Sequence, residues 1–375
     1  MRVVVAMDSF KGSLTSLQAA QAVKDGILNV IPSAEVCVLP LADGGEGTVQ
    51  ALSHGLGGSV ISTPVTGPLG NSVVAEYCIL QNSTAIIEAA SASGLPLIPP
   101  VQRDPMFTTT YGVGELILHA IKEGCRNFII GIGGSGTNDG GIGMLTALGY
   151  QFLDSKGSHV PFGAVGLKNI AAIKTDHVIP ELKDCCFRVA CDVSNPLIGP
   201  NGSSMVFSPQ KGASKDAVLQ MEQWMTNYAD LTKSYFPMAD PFSPGAGAAG
   251  GLGFAFSTFL DASLEPGAKI IADTTDLDAR IQASDLVVTG EGRLDGQSIM
   301  GKAPIYVAQL GKKHGKKVIA FAGSVGKDAT ICNSHGIHAY FSVVPGIITL
   351  EDAMDPLQAI VNIRSTVEQV FRLLL

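Results

Sequence analysis

MRVVVAMDSFKGSLTS, residues 1–16, runs a block of apolar positions into an aspartate, a lysine and a cluster of hydroxyl residues. Val3, Val4, Val5, Ala6 and Met7 read as a short strand buried on both faces, the β-branched run that parallel sheets favour. Asp8 then stands at its carboxyl end. Thr15 to Gln18 has the form of a capping box, and Leu17, Ala20, Val23 and Ile27 follow at helical spacing. Strand, polar loop and helix begin an α/β unit, and in open α/β sheets ligands bind beyond the carboxyl ends of the strands. DSFKGS is therefore either a solvated turn or part of a site, and the remainder of the chain decides between them.

The same alternation continues. A strand over 35–41 and a helix opened by ADGGEG and running to 56 complete a βαβα pattern, which requires a parallel sheet. From residue 59 three β-rich runs separated by Gly, Pro, Asn and Ser predict an antiparallel meander. A helix over 111–123 and a strand over 128–132 restore the α/β pattern, whereas 155–184 shows no clear periodicity. Beyond it we expect a strand over 187–191, a helix over 214–235, a tightly packed helix in PGAGAAGGLGFAFSTFL, strands over 286–289, 317–322 and 339–344, and helices over 303–314 and 350–374. The expected fold class is α/β with two domains. One is a Rossmann-like parallel-sheet domain built from both chain ends, 1–58 plus 277–375; the other, 59–276, is an inserted α/β domain with an antiparallel β portion, and the site lies in the cleft between them.

With 375 residues, 46% hydrophobic and 15% charged, the chain has ample material for sizeable cores. A net charge of −8 without any run of Lys or Arg argues against nucleic acid as a partner. No apolar stretch is long enough for a membrane span, and Met1 leads straight into a strand, so a cytoplasmic protein acting on a small molecule is expected. Association into a homo-oligomer is left open. The seven cysteines show no CxxC spacing and read as reduced core residues, and the lone HxxH at His335 and His338 reads as a loop feature.

GIGGSG at Gly131 to Gly136 satisfies GxGxxG after a strand, with Asp154 further on, so an NAD-binding oxidoreductase is an alternative. Asn138 and Asp139 count against it, since a carboxylate where the pyrophosphate would sit repels it. Magnesium removes that objection, because it is held by one or two carboxylates plus phosphate oxygens. GQSIMGKA at Gly296 to Ala303 nearly matches a Walker A loop, but Ala303 stands where the magnesium-binding hydroxyl is needed. Lys302 remains a candidate for a phosphate contact. The stronger signal is a set: MDSFKG, LADGGEG, GSGTNDGG, ACDVSNP and VVTGEGRLDG each place acidic groups after an apolar run, all but ACDVSNP together with glycine. Clustered carboxylates at one face of a sheet repel one another unless they hold metal, accept protons or bind hydroxyls. An acid-rich, glycine-lined cleft without a catalytic His or Cys suits phosphoryl transfer.

MDSFKGSLTS, PLADGGEGT, GIGGSGTNDGG, CDVSNPLIGPNG and TGEGRLDGQS together resemble the type 1 glycerate kinase family, and the resemblance runs from Arg2 to the C-terminal helix. It implies ATP-dependent phosphorylation of D-glycerate, usually giving 2-phosphoglycerate, by a two-domain α/β protein that is not a P-loop kinase. A non-catalytic sugar-acid binding protein is the other alternative. On this reading Asp192 is the expected general base, with Asp8 second. Lys11 and Arg293 are candidates for the glycerate carboxylate and the transferring phosphoryl group. Gly133, Gly134, Ser135, Gly136 and Thr137 would cradle ATP phosphates at a helix N-terminus, with Thr108 to Thr110 as further donors. Asp139 and Glu291 are candidates for Mg2+, and Asp43, Glu46, Asn138 and Asp295 for substrate.

Overall fold

Val3 to Met7 lie buried in an interior strand of a five-stranded parallel sheet. We describe the fold from a computed structural model, in which residues 1–39, 41, 47, 49, 53, 56–300 and 302–374 are described. The predicted ADGGEG helix falls largely outside them, as do Asp43 and Glu46. The strands are β1 (Arg2–Met7), β2 (Glu35–Val38), β3 (Ser59–Thr66), β4 (Ser72–Ile79), β5 (Thr84–Glu88), β6 (Asn127–Gly131), β7 (Gln151–Leu153), β8 (Ala172–Lys174), β9 (Cys186–Ala190), β10 (Ser263–Glu265), β11 (Leu286–Leu294), β12 (Lys317–Val325) and β13 (Ala339–Ser342). Two compact units result. The described residues of Met1–Asp43, Gln50–Leu56 and Pro266–Leu375 form the first, and those of Gly44–Val49 and Gly57–Glu265 the second.

The first unit carries an all-parallel sheet in the order β13-β12-β11-β1-β2. After β2 the chain returns to the other side of β1, so the switch of direction lies between β1 and β11, where open α/β sheets bind ligands. The helix Ser16–Val30 starts at the anticipated capping box: Gln18 N–H donates to Thr15 Oγ1 at 3.2 Å and Thr15 N–H to Gln18 Oε1 at 3.0 Å. Its buried face, with Ala19, Val23 and Ile27, shares a core with Val5, Val288, Phe321 and the helix Pro356–Arg372. Gly26 allows the close crossing, since a Cβ there would press on the Arg364 carbonyl oxygen. The expected helix over 350–374 is two helices, because Pro356 breaks it and Asp355 caps the second through Gln358 N–H at 2.8 Å.

The second unit has a mixed sheet in the order β10-β9-β6-β5-β4-β3. β3 and β4 pair antiparallel and so do β4 and β5, as the meander predicts, whereas β5, β6, β9 and β10 run parallel. Ile87, Ile130 and Val189 pack with Val113, Leu116 and Ile117 of the helix Tyr111–Lys122 and with Phe254 and Phe256. Residues 155–184, unassigned from the sequence, contribute β8, which pairs antiparallel with β7. The return to the first unit falls at Pro266 rather than at 277: the helix Gly267–Thr274 buries Ile270 and Ile271 and packs on the helices Leu277–Ala283 and Ala303–Lys313.

Candidate active site

Each unit gathers part of the predicted chemistry at the carboxyl ends of its strands. In the first unit the opening loop is a tight turn: Phe10 N–H donates to Leu14 O at 2.8 Å, Leu14 N–H returns to Phe10 O at 3.0 Å, and Gly12 takes φ +80° between them. Phe10 and Leu14 are buried, which pins the turn, while Lys11 is exposed. The Phe10–Lys11 main chain lies close over Gly292 of β11. Asp8 is 6% exposed; its N–H donates to Gly290 O at 2.8 Å and its Oδ1 accepts Ser9 N–H at 2.7 Å.

VVTGEGRLDG differs from the expected strand and loop, because β11 continues to Leu294 and pairs with β12 as far as Leu294 and Val325. Glu291 and Arg293 are thus held by a ladder rather than by a loop. Glu291 accepts from Ser298 Oγ at 2.6 Å and pairs with Lys302 Nζ at 3.3 Å. Burial pushes its carboxyl up, and Ser298 and Lys302 oppose the shift. Arg293 Nε meets Asp295 Oδ2 at 2.9 Å, and Asp295 Oδ1 accepts Gln297 N–H at 3.0 Å. Asp295 therefore orients Arg293, whose side chain remains largely exposed. Lys302 precedes the helix Ala303–Lys313 and is committed to Glu291.

In the second unit the glycine loop follows β6, but no helix opens at Gly136. The helix begins at Ile142 and has a single turn and a half, Ile142–Ala147. Gly140 and Gly141 take φ +63° and +77°, so the backbone between the loop and this helix is left-handed. The dinucleotide reading fails here, since its pyrophosphate needs a helix N-terminus directly after the third glycine. Gly133 and Gly134 are exposed at the loop tip, Ser135 is 8% exposed, and Gly136 and Thr137 are buried. Segment 89–95 straps the loop: Leu95 N–H donates to Gly134 O at 2.9 Å and Gly136 N–H to Ser93 O at 2.8 Å. Gly136 therefore keeps its N–H for Ser93 and has none for a phosphate.

Asn138 and Asp139 anchor the loop instead of facing a ligand. Asn138 Oδ1 accepts Ser203 Oγ at 2.9 Å and its Nδ2 donates to Ser204 Oγ at 3.0 Å. Asp139 is fully buried; its Oδ2 accepts Thr110 N–H at 2.8 Å and Thr110 Oγ1 at 2.9 Å, and its Oδ1 accepts Gly141 N–H at 3.1 Å. Burial raises its pKa, and the hydrogen bonds from Thr110, Gly141 and Gly143 oppose that rise. Thr108 Oγ1 donates to Gly136 O at 2.9 Å, so the FTTT segment is a second strap rather than a donor set for ligand. Asp139, fully buried and accepting three hydrogen bonds, does not fit a magnesium ligand, whereas Glu291 accepts Ser298 on one oxygen and Lys302 on the other and keeps lone pairs beyond them. Among the described residues no group of three His, Cys, Asp or Glu is arranged to hold a metal.

The register of β6 with β9 sets Gly131 opposite Ala190. Asp192, two residues beyond Ala190, thereby follows the same carboxyl end of the sheet from which the glycine loop springs, and it is exposed.

Lys211 has no counterpart in the sequence reading, where it is a lone lysine in a loop. It is 3% exposed, and its Nζ donates to Ser135 Oγ at 3.0 Å and to Thr137 O at 2.7 Å. Burial lowers its pKa from 10.5 to about 7, and the charge of Asp139 works against that fall. A depressed amine pKa favours the fold when the amine is neutral, so this contribution is complete above pH 10.5 and is lost as the pH falls to about 7. The stability of the native chain relative to Lys211→Met should therefore rise between pH 7 and pH 10.5, as measured by urea unfolding of both proteins across that range. A constant difference would show that Lys211 carries an ordinary pKa.

All seven cysteines are unpaired, and His338 Nδ1 accepts Val318 N–H at 3.1 Å. No helix among the described residues is long and apolar enough to cross a membrane.

The glycerate kinase family model matches residues 3–375. A glycerate 2-kinase of Escherichia coli (strain K12) is 47% identical over 354 residues, 94% of this chain and 93% of that protein. A glycerate kinase of Bacillus subtilis (strain 168) is 46% identical over 356 residues, 95% of this chain and 93% of the other. The crystal structure of a protein assigned as glycerate kinase 2 from Salmonella typhimurium LT2 superposes with a TM-score of 0.91 at 44% identity, covering 100% of this chain and 98% of that one.

Proposed function

Because the chain belongs to the glycerate kinase family, we propose that it transfers the γ-phosphoryl group of ATP to D-glycerate, giving 2-phosphoglycerate. The observation that carries the residue assignment is the pairing of β6 with β9, which sets an exposed carboxylate beside an exposed glycine loop. Phosphoryl transfer asks mainly for positioning and for charge stabilisation, with a base to take the hydroxyl proton. Asp192 is that base. Its carboxylate accepts the proton of the attacking glycerate hydroxyl, while Asp8, nearly buried and bonded to Ser9 N–H, is less suited to the exchange. The loop tip at Gly133, Gly134 and Ser135 receives the phosphates of ATP.

Lys11 and Arg293, both exposed at the carboxyl end of the first unit's sheet, supply cations for the glycerate carboxylate and the phosphoryl oxygens. Magnesium enters with ATP, held through the phosphate oxygens it binds in such nucleotides. Neither the oxidoreductase nor the non-catalytic reading has support in the fold or in the relatives.

Incubation with ATP, magnesium and D-glycerate, followed by phosphorus NMR, tests the reading. Coupling to one methine proton gives the doublet expected of 2-phosphoglycerate. A triplet from two methylene protons would move the reaction to the 3-hydroxyl, and no glycerate-dependent ADP would overturn the assignment as a kinase.

Lys11→Met keeps the aliphatic stem and removes only the charge. A solvated turn would tolerate it within about 0.5 kcal/mol and without kinetic change. Loss of a charge-assisted contact to glycerate or phosphoryl oxygens costs about 1.5–3 kcal/mol, or about ten- to a hundredfold in kcat/KM for glycerate, which is the result expected. Unchanged glycerate kinetics would return DSFKGS to the status of a connection.

A further inference from the structure

Lysine is almost never fully buried without a partner, yet Lys211, closing the turn Pro209–Lys211, lies behind the glycine loop. A single amino group ties two positions of that loop, its Nζ donating to Ser135 Oγ at 3.0 Å and to Thr137 O at 2.7 Å. When a hydroxyl oxygen accepts a hydrogen bond from Nζ, its own hydrogen remains to be given, and accepting the first bond strengthens the one it donates in turn. Ser135, 8% exposed, is the less deeply buried of Ser135 and Thr137 and is flanked by the exposed Gly134.

A second observation concerns the hydroxyls around the lysine. Thr137 Oγ1 and Ser208 Oγ are buried and meet no hydrogen-bond partner among the described residues. Both residues adjoin Lys211 through their main-chain oxygens, Ser208 O accepting Lys211 N–H at 3.0 Å and Thr137 O accepting Lys211 Nζ at 2.7 Å. Native structures leave few buried hydroxyls without a partner, and each that occurs calls for a cause such as strain or an ordered water.

We propose that Lys211 is a positioning residue for ATP: it fixes the glycine loop from behind and presents the Ser135 hydroxyl as a polarised donor to a phosphate oxygen. The inference rests on the reading that this loop receives the phosphates. Ser135 touches the nucleotide, and Lys211 acts through it. Asn138, Asp139 and the straps from Ser93 and Thr108 set the loop's path, so the fold of the loop does not depend on Lys211 alone.

Calorimetric titration with ATP in magnesium buffer, and separately with adenosine, tests it on the full chain and on Ser135→Ala, Lys211→Met, the double variant and Gly134→Ala. We expect Ser135→Ala and Lys211→Met each to weaken ATP about tenfold and to leave adenosine within about twofold, because only the phosphates are touched. The double variant should be no weaker than either single one, since both changes remove the same contact. Additive losses, or equal losses for adenosine, would make Lys211 a structural residue and overturn the proposal. Should Lys211→Met fail to fold, Ser135→Ala decides alone: unchanged ATP affinity overturns it. Gly134 takes φ +72°, so Gly134→Ala distorts the loop tip. If that variant loses ATP while Ser135→Ala does not, only this inference falls; if neither affects ATP, the assignment of the loop to the phosphates falls with it.

Discussion

Asp192→Asn should lower kcat by about 10²- to 10⁴-fold while the KM for ATP stays within about twofold. Asparagine preserves size and hydrogen-bonding shape but cannot accept a proton at neutral pH, so the loss falls on the transition state and not on nucleotide binding. Asp192 is exposed beyond the end of β9, and its removal should change stability by less than about 0.5 kcal/mol, which separates a chemical defect from misfolding. Single-turnover measurements with pre-bound ATP guard against product release masking the step. An Asp192→Asn enzyme with near-native single-turnover rate, set against a slow Asp8→Asn enzyme, would transfer the role of base to Asp8.

Gly250→Ala should be among the most damaging substitutions of a single methyl group in the second unit. Gly250 has φ +74° and its carbonyl oxygen accepts Gly140 N–H at 2.9 Å. A Cβ there would run into the Thr137 carbonyl oxygen, the same oxygen that receives Lys211, and into Asn138 Cα. Left-handed backbone costs an L-residue about 1–2 kcal/mol, and forcing an extra carbon into a packed interior about 1–3 kcal/mol more. The second unit should lose several kcal/mol in urea unfolding, and ATP affinity should fall with it because the loop must move. Gly124→Ala is the matched control: φ is +89° but no atom lies within 4 Å of the added carbon. It should show the backbone cost alone, with normal kinetics. Equal effects of the two substitutions would mean that the contact with the glycine loop carries no energy.

The part of the molecule legible in the sequence is the part governed by local rules. β1, the Thr15 capping box, the meander of β3 and β4 and the parallel pattern of the first unit follow from apolar runs, cap residues and turn residues, each a property of a few neighbours in the chain. The family resemblance was carried by short motifs of the same kind. What went unread depends on residues far apart in sequence. Glu291 and Arg293 look like loop residues after a short strand, but pairing with β12 extends β11 through both of them. GIGGSGTNDGG looks like a loop opening a helix, but close approach of Gly250 and Gly251 to Gly140 keeps that backbone left-handed until Ile142.

Asp139 shows the same division most sharply. Its sequence neighbours are glycines and an asparagine, which suit a metal or phosphate site, whereas its hydrogen-bond partners come partly from Thr110, in a different loop. No spacing rule connects residue 110 to 139, or 135 to 211. The sequence by itself determined the parallel α/β pattern of the first unit, the β3–β4 meander and which family's chemistry the chain carries. Tertiary structure alone decided which polar groups face a ligand and which are consumed within the fold, because desolvation and hydrogen bonding act between whatever atoms packing brings together, irrespective of their distance along the chain.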